Sequence, residues 1–377
     1  MAKTPNDAPK KANGAARRGD QKMINVALQG GGSHGAFAWG VLDHLLSDDR
    51  LYIEALSGAS AGAMNAIICA DGWAKNGCEG ARKALSDFWY RLSDVAQTSP
   101  LQRGPVSALM GAWSLDQSPF YLWFDLMSRI ASPYDLNPFN WNPIRDLLNE
   151  HVDFEGVRKG DGPRLYITAT NVETGRARVF QRPELTADHI MASACLPLVF
   201  QAVLIDGKPY WDGGYMGNPS LWPLYGDSES DDIIIVQINP IDRGGVPRTS
   251  REILNRLNEI TFNASLLSEL RAIDFVSRLI TAGRLEGSTY RDIHVHVIGD
   301  DKLMTPLGES SKMLAERAFL ELLRDSGKRA AERWVKDHFD DIGARSTVDL
   351  RDFFELREDG VDRHPVDAPA PPTDTKS

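Results

Sequence analysis

The segment Gly58-Ala59-Ser60-Ala61-Gly62 reads G-x-S-x-G and constrains the fold more than any other stretch of this chain. Before it runs Leu51-Tyr52-Ile53-Glu54-Ala55-Leu56, short and rich in strand formers; after it, Ala63 to Ala70 is small and apolar at helical spacing. A chain that leaves a strand and enters a helix within so few residues must turn sharply. Side chains at the flanking positions, Gly58 and Gly62, would meet neighbouring backbone. The turn lifts Ser60 to the top of a sheet, at a helix N-terminus whose dipole favours developing negative charge. The pattern predicts a nucleophile. Small residues crowd many tight helix starts, so the pentapeptide alone does not decide a function.

A second glycine cluster lies upstream. Ile24-Asn25-Val26-Ala27-Leu28 reads as a buried strand, followed by Gln29-Gly30-Gly31-Gly32-Ser33-His34-Gly35 and an apolar helix from Ala36 to Leu46. Consecutive glycines leave backbone N–H groups unobstructed, which suits a nest for an anion. Acyl transfer needs such a nest for the oxyanion of its tetrahedral intermediate, and one lost donor costs about 3 kcal/mol. A phosphate loop of the G-x-x-x-x-G-K-[ST] kind is excluded because the lysine is missing. A dinucleotide site stays open at this point. Gly30, Gly32 and Gly35 satisfy G-x-G-x-x-G, and Glu54 roughly fits the acidic residue that closes the second strand.

The third element is Val203-Leu204-Ile205, a turn at Asp206-Gly207, then Pro209-Tyr210-Trp211 ending in Asp212-Gly213-Gly214. This predicts a hairpin whose last residue is an acid braced by glycines. Beside a serine elbow and an anion nest, Asp212 becomes the candidate base.

Together these elements resemble the patatin-like phospholipase family. Gly30-Gly31-Gly32-Ser33-His34-Gly35 matches its oxyanion loop, Gly58-Ala59-Ser60-Ala61-Gly62 its nucleophile elbow, and Asp212-Gly213-Gly214 its D-G-[GA] motif. Ala192-Ser193-Ala194-Cys195-Leu196-Pro197 and Gly217-Asn218-Pro219 fall where that family carries a helix-to-proline turn and an N-x-P-type segment. The likeness runs from Ile24 to Asn239. One departure is His34, where the family usually has Arg or Lys; it puts in doubt a fixed positive charge beside the loop. The resemblance implies a carboxylic ester hydrolase acting on lipids of the phospholipase A or lysophospholipase type, with a Ser60–Asp212 dyad. Gly30, Gly31, Gly32, Ser33, Gly35 and Ala61 would then form the oxyanion hole, with no metal and no cofactor. An esterase of neutral lipids or intracellular polyesters would present the same dyad. A lipid-binding module with a vestigial site is the reading from another class. An aspartate near its reference pKa of about 3.9 is a poor base at neutral pH, so burial would have to raise it.

The mechanistic rival is a Ser-Asp-His triad. Chain order would place its base after Asp212, which leaves His294 and His296, both inside an expected strand. No H-E-x-x-H pattern or acidic calcium loop supports metal catalysis.

Composition bounds the rest. The 377 residues are 42% hydrophobic and 25% charged, ordinary for a globular protein. Net charge is −10; residues 1–22 carry +4 and the remainder −14. So acidic a body argues against nucleic acid as a partner. Lipid contact must come from an apolar surface or from the basic tail, as a transient association with a membrane. Cys69, Cys78 and Cys195 form no C-x-x-C pair and fit a reducing, cytoplasmic setting. No run approaches the ~18 apolar residues of a spanning helix. Residues 1–22 and 359–377 read as disordered tails around an acyl hydrolase domain at 23–340.

Strands and helices alternate along that domain. Helices are expected at 61–73, 79–95, 251–285 and 309–339, and strands at 165–170, 233–238 and 293–298. The alternation predicts a three-layer α/β/α fold around a mainly parallel sheet, with residues 241–340 as its helical C-terminal part. Residues 98–143 break the pattern with six prolines and a dense set of aromatics. Such density usually packs as core; the alternative is a cap over the site that touches a bilayer. Oligomeric state leaves no trace in the sequence.

Overall fold

The computed structural model describes residues 19–128 and 130–355. One mixed sheet organises them. Its strands are β1 (Lys22–Leu28), β2 (Leu51–Gly58), β3 (Arg164–Asn171), β4 (Arg176–Gln181), β5 (Val203–Ile205), β6 (Lys208–Asp212), β7 (Asp232–Val236) and β8 (His294–Ile298). The order across the sheet is β5-β6-β3-β2-β1-β7-β8, with β4 beside β3. The five strands from β3 to β8 in that order run parallel, while β4 and β6 each pair antiparallel with β3.

Alternation on the strands feeds two cores. On one face Ile24, Val26, Leu28 and Leu56 pack with α1 (Gly35–Ser47), α2 (Ala61–Ala96) and the helix Arg317–His338. On the other, Ala27, Ala55, Ile233 and Ile235 meet Leu266, Leu270 and Ile273 of the helix Ser250–Thr281. This is the expected three-layer α/β/α arrangement. Helix α1 and the helix Arg317–His338 pack backbone to backbone. A Cβ on Gly40 would strike the carbonyl of Arg324, and one on Gly327 the carbonyl of Phe37.

The two helices expected at 61–73 and 79–95 form one run, α2, broken at Asn76 and Gly77. The long helix expected from 309 begins only at Arg317; residues Glu309–Met313 form a separate 3-10 turn. Contacts from distant parts of the chain explain the break, because Ser310 Oγ receives the Leu115 N–H and Ser311 Oγ is bonded by His34 Nε2. The helix at 250–281 stops before Gly283, and the strand Arg176–Gln181 has no counterpart in the expected set. Packing continues beyond 340, through Ile342 and Leu350. At the other end Lys22, counted above with the basic tail, opens β1 and donates from Nζ to the carbonyls of Phe339 and Ile342. Residues 1–18 and 356–377, which hold most of both expected tails, lie outside the described residues.

Segment 98–143 divides. Leu115 is buried and Trp113 stacks on Phe319, with the Arg103 guanidinium also over the Trp113 ring. Most of its large apolar residues are exposed instead. Phe139 is 93% exposed, Leu109 89% and Trp141 69%, and no residue of the helix Pro119–Met127 is buried. Core packing therefore accounts for Leu115 and, in part, for Leu101, Trp113 and Tyr121, and not for the exposed side chains. Among the described residues, no helix is long and apolar enough to cross a membrane.

Candidate active site

Strand β3 brings the candidate nucleophile and base together. Its lower half pairs with β2, where Gly58 lies opposite Ile167. There β2 ends. Two residues further along β3, Ala169 pairs with Arg178 of β4 and with Asp212 of β6. Each strand residue has two edges, so β6 must take up the edge that β2 has vacated. Ser60, two residues past Gly58, and Asp212, the last residue of β6, thus converge where one strand gives way to the other.

Ser60 has φ 53° and ψ −123°, a region a non-glycine residue enters only when its surroundings impose it. Several contacts impose it. Its N–H is held by the Ser193 carbonyl at 3.1 Å and by Ser193 Oγ at 3.0 Å. That hydroxyl in turn donates to the Thr168 carbonyl at 2.6 Å. The serine opens α2, so its side chain meets the positive end of a long helix.

Asp212 is completely buried. Its N–H donates to the Cys195 carbonyl, and its own carbonyl accepts from Thr170 Oγ1. Oδ1 accepts the Gly214 N–H at 2.7 Å. Oδ2 is buried and accepts no hydrogen bond in this resting geometry, while the Ser60 hydroxyl stands near enough to stabilise the charged carboxylate. An orphaned buried acceptor is rare in a folded protein and marks a group kept for use. Burial pushes the Asp212 carboxyl up to about 6, against the opposing pull of the Gly214 N–H, the Ser60 hydroxyl and the Lys312 ammonium. That meets the requirement for a base that works near neutral pH.

The glycine loop lies against the elbow: a Cβ on Gly30 would stand 2.6 Å from both the Ala59 carbonyl oxygen and Ser60 Cβ. Gly32 has φ +56° and abuts the Lys312 carbonyl, a position that admits no side chain. The N–H groups of Gly31, Gly32, Ser33 and Ala61 have no hydrogen-bond partner among the described residues. Two of the expected donors are already engaged. Gly30 N–H donates to Asn218 Oδ1 at 2.6 Å, and Gly35 N–H turns back to the carbonyls of Gly32 and Ser33. They shape the loop and have no free N–H for an oxyanion. Gly62 and Gly213 pack on the carbonyls of Leu28 and Thr168, and Gly214 on the Phe262 ring.

Sequence reasoning gave no role to Gln29, Ser193, Asn218 and Asn239. Gln29 Oε1 accepts the N–H groups of Ile238 and Asn239, and Asn239 Nδ2 holds the Gly30 carbonyl at 2.7 Å. A single buried amide has no local signature in sequence, although Ser193 and Asn218 sit in the two segments singled out there.

The alternatives fall away on geometry. His296 is buried in β8 between Asp232 and Thr347, and His294 also faces Asp232. Asp232 opens β7, whereas Ser60 follows the end of β2, and these strands run parallel; both histidines therefore lie far from Ser60. Glu54 closes no nucleotide site: its carboxylate accepts from Glu229 N, Ser230 N and Ser228 Oγ. Another acid, the half-buried Glu269, is raised to about 7 by burial but caps the N–H groups of Leu221 and Trp222. Neither of two surface cavities, of about 240 and 310 Å³, is lined by Ser60 or Asp212. The first reaches the site's flank at Cys195.

A family model described as patatin-like phospholipase matches residues 26–225, which takes in the loop, the elbow and Asp212. This chain belongs to the patatin-like phospholipase family. Membership carries lipid acyl hydrolase activity in general, with a lipid ester as substrate. Among solved structures, the patatin-like chain resembles VipD from Legionella pneumophila. The two are 14% identical with a TM-score of 0.39, over 85% of this chain and 67% of that one. No curated protein matches it.

Proposed function

We propose that this patatin-like protein is a phospholipase A or lysophospholipase-type serine esterase that works through a Ser60–Asp212 dyad. The observation that carries the reading is Asp212 Oδ2, buried, unpartnered and brought to the nucleophile by a shared strand edge. In the reaction Ser60 Oγ attacks the acyl carbonyl while its proton passes to the Asp212 carboxylate. The oxyanion is received by the open N–H groups of the Gly31–Ser33 loop and Ala61. Collapse of the intermediate expels the alcohol, which takes the proton from Asp212 and leaves the acyl group on Ser60. Asp212 then draws a proton from water, which attacks the acyl-enzyme; fatty acid leaves and Ser60 regains its proton. No step requires a histidine.

The lipid reaches the site across an apolar surface. Trp123, Leu126, Phe139 and Trp141 of segment 98–143 stand exposed, as do Leu198 and, on the hairpin that carries Asp212, Leu204. These side chains would enter a membrane surface transiently. The three free thiols fit a cytoplasmic enzyme that works there.

A fluorophosphonate that reacts with activated serines tests the assignment. Wild-type protein should label at Ser60 and release fatty acid from phospholipid or lysophospholipid vesicles, while Ser60→Ala and Asp212→Ala should do neither. Full turnover by Asp212→Ala, or its loss in His294→Ala or His296→Ala, would overturn the dyad.

A further inference from the structure

The 3-10 turn Glu309–Met313 is wrapped against the glycine loop from a distant part of the chain. Its Lys312 carbonyl abuts Gly32, and its Ser311 hydroxyl bonds His34 Nε2 at 2.8 Å. That hydroxyl already donates to the Gly308 carbonyl, so His34 must be the donor and carries its proton on Nε2. His34 is buried and pushed down to about 3, by burial first and by Lys312 and Arg243 after it; it is neutral. The loop therefore has no cation of its own.

Lys312 has a side chain that is only 16% exposed, with Nζ on Glu309 Oε1 at 2.6 Å. Nζ also lies 5.9 Å from the centre of the Phe262 ring. The edge of that ring packs directly on Gly214, whose N–H holds Asp212 Oδ1. Backbone and side chain of one residue thus border both halves of the site.

We propose that Lys312 is the positive charge of this active site, a positioning residue that acts through Asp212 and the oxyanion loop without touching the bond that breaks. The inference rests on the dyad reading above. Across the partly dehydrated space beside Phe262, the ammonium favours the charged carboxylate that accepts the Ser60 proton. Glu309 holds the ammonium in place and tempers it. The other groups around the pair do not compete near neutral pH. Tyr215, Cys195 and Tyr121 are each pushed up to about 12, burial being the main cause. Arg243 is bound to Glu259 through both carboxylate oxygens.

The test is the pH dependence of fluorophosphonate labelling of the full chain, which reads Ser60 and Asp212 without a lipid surface. Lys312→Gln keeps the backbone carbonyl on Gly32, so the loop should hold. Its acid limb should move up by roughly half a pH unit, with slower labelling below neutrality. Lys312→Arg should restore the wild-type limb, and Glu309→Gln should shift it the opposite way. Thermal melts check that each variant is folded. A folded Lys312→Gln with an unmoved acid limb would overturn this inference alone, as would Lys312→Arg behaving like Lys312→Gln. Absence of labelling in the wild type would overturn the dyad reading and this one with it.

Discussion

At the scale of single residues the site is a set of costs accepted for reactivity. Ser60 holds a backbone conformation worth about 1–3 kcal/mol of strain, and Asp212 keeps a buried oxygen without a partner. The second cost has a pH signature. A carboxyl raised from 3.8 to about 6 binds its proton more tightly in the folded than in the unfolded protein. Its contribution to stability is therefore complete below pH ~4 and is lost as pH rises through about 6, roughly 3 kcal/mol in all. Activity should follow the opposite course, rising through the same window as the base ionises. Asp212→Asn can still accept the Gly214 N–H but cannot ionise. It should melt higher than wild type at pH 8, by ~1–3 kcal/mol, and match or trail it at pH 4, while losing at least ~100-fold in labelling rate. Melting curves at the two pH values check the sign.

Among the elements, segment 98–143 has the loosest bond to the rest. Trp113, Leu115 and the Arg103–Glu316 ion pair anchor it, and the exposed aromatics beyond add little to folding. Phe139→Ser with Trp123→Ser should leave stability within ~0.5 kcal/mol and labelling of Ser60 unchanged. Sedimentation with lipid vesicles should fall several-fold, and fatty acid release with it. The turn at Glu309–Met313 is the contrary case, short and almost featureless in sequence yet fitted against the glycine loop. Its apolar and charged spacing reads as the start of a helix. Only the tertiary contacts of Ser310, Ser311 and Lys312 make it a turn.

In the whole molecule, what could be read from sequence follows from where the information sits. The glycine loop, the elbow and the hairpin before Asp212 are local, because tight turns demand particular residues at fixed spacing. The strand alternation was legible for the same reason. Gln29, Asn218, Asn239 and Lys312 act across long separations through a few hydrogen bonds or one charge, and no spacing rule marks them. The antiparallel strand Arg176–Gln181 was missed because half of it is exposed, so it lacks the apolar run of its neighbours.

Strand β3 serves as a ruler. Gly58 and Asp212 are set two residues apart along one of its edges, at Ile167 and Ala169. Each strand residue advances ~3.3 Å, so the interval between the proposed nucleophile and base is a count of residues and not a property of a loop. Two residues inserted between Ile167 and Ala169 would carry Asp212 ~7 Å from Ser60 and should abolish labelling, while the same insertion at 244–245 should be tolerated. A lineage built on this plan can lengthen its surface loops and recolour its surface freely. It has no such freedom in the arithmetic of one central strand.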